Sequence, residues 1–275
     1  MGFLSKPKEK DLRRPPDYPI QLCIVLGSPF KIDPRKVMSG FRKRWNVKIA
    51  FEENEKWSMP EQNKRVYLLT NGRTSIMVSY LEEPVAKEMM ELFATGMGVT
   101  EDEKKFLFRS VAHILLDAPD LDDNPLERAI LTVQTLLYLL DVSRALGYSS
   151  RSAEFYRTVR VSDKYMQFSE IGAFELMLVL LNAHSLRDLR WIHFHGMDQF
   201  GLPDIEVVYG EDEDHEYYQQ LLGNTALYSI MNGPVLKIGD TVDMMRDGNT
   251  HRIEESRKDS DHPYGTFGAI RLVKV

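Results

Sequence analysis

The stretch WIHFHGMDQFGLPDIEVVYG, residues 191–210, holds the densest set of side chains able to do chemistry in this chain. On an extended strand successive side chains alternate between faces, so His193 and His195 point the same way, with Trp191 beside them. Two imidazoles at that spacing can ligate one zinc ion, and a third ligand could come from Asp198, Asp204 or Glu206. Asp204 and Glu206 are also two apart and share a face, which makes them candidates for a coupled acid/base pair. A plainer reading competes with each of these. His-x-His on a strand is frequent by chance, and a sheet-face histidine paired with a carboxylate across a hairpin needs no metal. Two histidines supply only half a tetrahedral site, and the nearby Arg187 and Arg190 compete for the carboxylates. The expectation is therefore a structural or partner-facing cluster with no cofactor and no bound metal. The alternative is a metal-dependent hydrolase built on His193, His195 and a carboxylate from Asp204 or Glu206.

The remaining candidates read as structural. His113 in SVAHILLD is a lone strand histidine, and His251 and His262 fall in a stretch of mixed charge that reads as a solvated loop. The single Cys23 sits in the apolar run IQLCIVLG, the setting of a buried inert thiol. DLDDNP at 120–125 imitates the start of a calcium loop through Asp120, Asp122 and Asn124. Pro125 replaces the required glycine, however, and Leu131 stands where the bidentate glutamate belongs. There is no P-loop, no complete dinucleotide fingerprint, no His-Glu-x-x-His and no Gly-x-Ser-x-Gly.

The elements that must position these residues follow from hydrophobic pattern and turn chemistry. Ile20 to Leu26 reads as a strand. Asp33-Pro34 starts a helix, with Asp33 as cap and Val37, Met38, Phe41 and Trp45 at helical spacing. A short strand at Val47 to Phe51 and a polar loop precede RVYLLTNGRTSIMVSY, where Asn71-Gly72 reads as the two-residue turn of a hairpin. A helix is expected from Glu83 to about Phe93, and KKFLFRSVAHILL reads as a strand. NPLERAILTVQTLLYLLDVSRALGY reads as a long interior helix, capped by Asn124 and ended by Gly147. A short helix at Ala153 to Thr158 is expected next, followed by strands at Phe174 to Asn182, Arg190 to His195 and Asp204 to Val208. A helix from Asp212 to Met231 and strands near Val235 to Leu236 and Ala269 to Val275 complete the reading. This order predicts an α+β protein of two coupled ferredoxin-like (βαββ-type) halves, with mixed or antiparallel sheets packed on helices. The expected divisions are a flexible basic leader at 1–17, an N-terminal half at 18–119, and a C-terminal half at 120–275 carrying the long helix.

HGMDQFGLPDIEV, followed later by GPVLKIGDTV, resembles a bacterial family built on a domain of unknown function. The signature of that family falls here on Gly196, Phe200, Gly201, Pro203, Asp204 and Glu206, and a later turn on Gly239, Asp240 and Thr241. The similarity runs in element order from about residue 20 to 255, with only these short stretches specific. His195 stands where the family pattern has a threonine-like residue, which argues against a metal site shared across it. The resemblance implies no activity. The signature has its own physical reading, in which Gly201-Leu202-Pro203 connects two strands and Phe200 packs beneath.

Composition bounds the partners. With 35 Lys and Arg against 41 Asp and Glu, the net charge is −6, which disfavours nucleic acid and suits a basic protein partner. Acidic surface is expected at Asp117 to Asp123 and at Glu211 to Asp214. One cysteine allows no intrachain disulfide, which points to a reducing compartment. No apolar run is long enough for a membrane span, and the leader lacks the apolar core of a signal peptide. The sequence thus predicts a cytoplasmic binding or regulatory protein, of the kind that senses or neutralises a protein partner.

Overall fold

In a computed structural model of the chain, the residues described are 20–88, 90–91, 100–118, 125–150, 155–158, 179–184, 188–233, 235–256 and 268–275. They form two compact units, Tyr18–Met177 and Leu178–Val275. The seam thus falls later than the 119/120 division expected from sequence. The reason is strand pairing: the segment after residue 120 returns two strands to the first sheet.

The N-terminal unit contains β1 (Ile20–Leu26), α1 (Pro34–Trp45), β2 (Ala50–Glu53), β3 (Lys64–Thr70), β4 (Ser75–Leu81), α2 (Glu101–Leu107), β5 (Ala112–Ala118), α3 (Pro125–Ser143), β6 (Ala145–Ser150) and β7 (Phe155–Thr158). Its seven strands lie in the order β2-β3-β4-β5-β1-β6-β7, with every pairing antiparallel. β1 is apolar at nearly every position because both of its faces are covered. Cys23 and Val25 pack with Val85, Met90 and Leu107, while α3 lies against the strand. Asp33 caps α1 as expected, accepting from the backbone N–H groups of Arg35 and Lys36.

Several elements depart from the sequence reading for identifiable reasons. The expected strand at 104–116 divides into helix α2 and strand β5. Lys104–Glu101 and Lys105–Asp102 pair three residues apart, a spacing that favours the helix. The long helix ends at Ser143, where Arg144 takes a left-handed φ of 53°, and Gly147 lies in β6 rather than beyond a helix. Residues 155–158 are strand β7, not helix. The hairpin after β3 exists, but Asn71 and Thr74 pair across it, so Gly72 and Arg73 are its central residues. Only Gly72 takes positive φ, and the Asn71 carboxamide accepts from the Arg73 and Thr74 N–H groups. The expected Asn124 cap lies outside the described residues.

The C-terminal unit contains β8 (Val179–His184), β9 (Leu189–His195), β10 (Asp204–Gly210), α4 (His215–Asn232), β11 (Thr241–Val242), β12 (His251–Glu255) and β13 (Ala269–Lys274). Its six strands run in the order β11-β12-β13-β10-β9-β8, with β10 and β13 parallel and the other pairs antiparallel. Val235 and Leu236 are not in a strand. Both units are α+β, one with a seven-stranded and one with a six-stranded sheet, and ferredoxin-like halves are not delineated in them. Among the described residues no helix is long and apolar enough to cross a membrane.

Alternation splits the six-stranded sheet into two unlike faces. Ile192, Ile205, Val207, Tyr209, Ile253 and Leu272 are buried, and α4 covers this apolar side, with Tyr218 stacked on Tyr209 at 4.2 Å. The other face carries Trp191, His193, His195, Asp204, Glu206 and Arg271, and most of these are as buried as the apolar set. A sheet face that is both charged and sealed must meet its polar needs internally.

Candidate functional site

His193 and His195 on β9 and Asp204 and Glu206 on β10 share the polar face, as the two-residue spacing predicts. His193, Asp204 and Glu206 are fully buried, and the His195 side chain retains 9 % exposure. Nδ1 of His195 lies 2.8 Å from Asp204 Oδ2, and Nε2 of His193 lies 3.3 Å from the same oxygen. The other carboxylate oxygen, Oδ1, accepts from the backbone N–H groups of Gly196 and Met197 at 3.1 and 3.0 Å. Those amides reach it because Gly196 takes a φ of 101°, turning the chain sharply as β9 ends. Burial by itself would raise the Asp204 pKa. Hydrogen bonds and charge from the two histidines outweigh it and hold the carboxyl far below its ordinary range.

Glu206 belongs to a separate network. Its Oε2 accepts from the Trp191 indole N–H at 2.9 Å, and its Oε1 accepts from Ser256 and from the Arg271 guanidinium, both at 2.6 Å. Arg271 stands directly opposite on β13. The competition expected from nearby arginines therefore takes a different form. Arg190 pairs in register with Tyr209, on the opposite face from both carboxylates. Arg187 lies outside the described residues. Arg271 and Ser256 are the partners that sequence reasoning missed, and their distance along the chain left no local signal.

The β9–β10 connection is a single buried 3-10 turn, Met197–Phe200, flanked by Gly196 and Gly201, rather than the bare Gly201-Leu202-Pro203 link. Phe200 packs inside as expected, at 4 % exposure. Gly201 has a φ of 70°, and its N–H donates to the carbonyls of Asp198 and Met197. Gly201→Val is expected to destabilise this unit by about 1–3 kcal/mol, read as a lower midpoint in urea with unchanged slope. A variant that melts like the wild type would show that the positive φ is not required.

Asp198 sits within this turn. It is buried, and its Oδ1 has no hydrogen-bond partner among the described residues. Burial, reinforced by the nearby Asp204 charge, pushes its carboxyl up to about 6. The later signature is also a turn: Gly239 has a φ of 96°, Asp240 Oδ2 accepts from Lys237 N–H, and Thr241 opens β11. His251 is fully buried beside Tyr217 and Tyr218 at the start of β12, not in a solvated loop. Pairing with β13 draws it inward. His262 lies outside the described residues. His113 is a structural histidine whose Nδ1 lies 2.9 Å from the Glu83 carbonyl. Cys23 is buried, and its thiol is pushed up to about 12 by that burial, so it is no nucleophile.

The acidic segments are only partly free for recognition. Within Glu211 to Asp214, Asp214 caps α4, and Glu213 accepts from the Gly210 N–H and the Tyr218 hydroxyl. Residues 119–123 of the other acidic run lie outside the described residues. Beside β2 and the start of the polar loop after it lies a shallow groove of about 440 Å³, lined by Ala50, Glu52, Glu53, Asn54, Glu55, Leu68 and Thr70. Leu68 is 39 % exposed and nearby Trp57 50 % exposed. The Ala50-Phe51-Glu52 alternation, Phe51 inward and Glu52 outward, was the available signal.

Residues 195–267 match the family model of a domain of unknown function, DUF4261. No curated protein and no solved structure matches the chain.

Proposed function

We propose that this is a non-catalytic binding or regulatory protein that takes an extended, basic segment of a protein partner along β2. The observation that carries the reading is the strand edge beside the groove. Among the described residues β2 is a terminal strand of the seven-stranded sheet, so one row of its backbone N–H and C=O groups has no neighbouring strand there. Added strands commonly bind in this way, with main-chain hydrogen bonds supplying affinity and alternate side chains supplying specificity. Glu52 and Glu55 place carboxylates in the groove beside that edge, and Leu68 offers apolar area there. Glu53 is already engaged with Arg65 at 3.2 Å. The net charge of −6 favours encounter with a basic partner.

The test is titration with a synthetic peptide alternating lysine and valine, followed by isothermal titration calorimetry. Binding is expected to weaken with added salt and to fall by about tenfold or more in Glu52→Lys/Glu55→Lys, a loss of about 1.4 kcal/mol. No binding, or undiminished binding by the double variant, contradicts the reading.

Metal-dependent hydrolysis is a second reading, favoured by the convergence of His193, His195 and Asp204. It requires substrate to reach atoms that are buried in this structure. Turnover of chromogenic esters or phosphodiesters with added zinc or manganese, abolished by His195→Ala, would establish it over the binding reading.

A further inference from the structure

We propose that His193, His195 and Asp204 bind one divalent first-row transition-metal ion. This inference concerns the C-terminal unit and is independent of the groove beside β2.

One ligand atom from each of His193, His195 and Asp204 lies within 4.8 Å of the others. The two oxygens of Asp204 have divided roles. Oδ1 is fixed by the Gly196 and Met197 amides, and Oδ2 is turned toward both imidazoles. Metal sites use the same division, in which outer hydrogen bonds set the direction of a carboxylate that ligates through its other oxygen. The three donors come from neighbouring strands on one sheet face and are all buried, so they are held together before any ion arrives.

Two imidazole nitrogens with a carboxylate oxygen suit zinc or its neighbours better than magnesium or calcium, which prefer all-oxygen shells. The ligand-counting objection fails on the geometry. Asp204 faces the histidines, and it is Glu206 that takes the arginine.

The experiment uses tag-free full-length protein, stripped with chelator and dialysed against zinc or cobalt(II) chloride. One equivalent is expected to bind, with cobalt giving the visible d–d absorption of four-coordinate nitrogen/oxygen ligation. Asp204→Asn and His195→Ala are expected to lose it. His251→Ala, which removes a buried histidine on the opposite face, is expected to bind in full. Should the ligand variants fail to fold, the cobalt stoichiometry and spectrum of the wild type decide the matter. Folded wild-type protein that takes up no metal, or uptake unchanged by Asp204→Asn and His195→Ala, overturns the proposal.

Discussion

Asp204→Ala is expected to cost the C-terminal unit about 3–5 kcal/mol, the range seen when one partner of a buried charged network is removed. The loss has two parts. The Gly196 and Met197 amides lose their acceptor inside a buried turn, and the two imidazoles lose the carboxylate on which they converge. In a unit of this size each kcal/mol corresponds to about 4–8 °C, so thermal unfolding followed by near-ultraviolet dichroism should show a drop of well over about 10 °C. The pH dependence follows from the direction of the shift. The folded carboxyl sits below its unfolded value of about 3.9, so its stabilisation is fully present above that pH and is lost as pH falls further. Asp198 works in the opposite sense. Its folded carboxyl is raised to about 6, so it destabilises the fold as pH rises from about 4 through 6. With chelator present, Asp198→Asn should therefore gain stability over the wild type at pH 8 and not at pH 4. An Asp204→Ala variant that melts within about 2 °C of the wild type would show that the carboxylate does not organise this face.

Glu206→Ala is the second large effect, again about 3–5 kcal/mol. It leaves the Trp191 indole, the Ser256 hydroxyl and the Arg271 guanidinium facing a buried gap, with Arg271 only 14 % exposed. Most of that cost is the stranded cation rather than the lost attraction. The double variant Glu206→Ala/Arg271→Met should therefore recover part of the stability, its loss being smaller than the sum of the two single losses in a double-mutant cycle. Denaturant melts of the four proteins followed by circular dichroism measure it. Simple additivity of the two substitutions would mean that the pair is not coupled.

The features legible in the sequence were those governed by local rules. β1 runs over the residues that its apolar pattern indicated, and Asp33-Pro34 starts α1 with the expected capping bonds. The two-residue period of β9 and β10 placed His193, His195, Asp204 and Glu206 on one face, which is most of the candidate site. What failed depended on distant partners. Ala145–Ser150 has little strand propensity of its own and becomes a strand by pairing with β1, more than a hundred residues earlier in the chain. The same pairing moves the seam between units past the long helix. Which carboxylate takes an arginine was equally illegible, because Arg271 reaches Glu206 only through the parallel β10–β13 pairing. Where helix α2 was read as a strand, the paired charges at its start were a local signal that the apolar run after them concealed.

The convergence of two imidazoles on one buried carboxylate oxygen is tested most directly by nitrogen-15 NMR of the histidine rings in chelator-treated, tag-free protein. If the carboxylate of Asp204 accepts from both, His195 carries its proton on Nδ1 and His193 on Nε2. Both tautomers should persist at neutral pH, and one equivalent of zinc should displace those two protons while leaving the His113 and His251 signals in place. Opposite tautomers, or histidine signals that zinc leaves unmoved in well-folded protein, would contradict the account of this site.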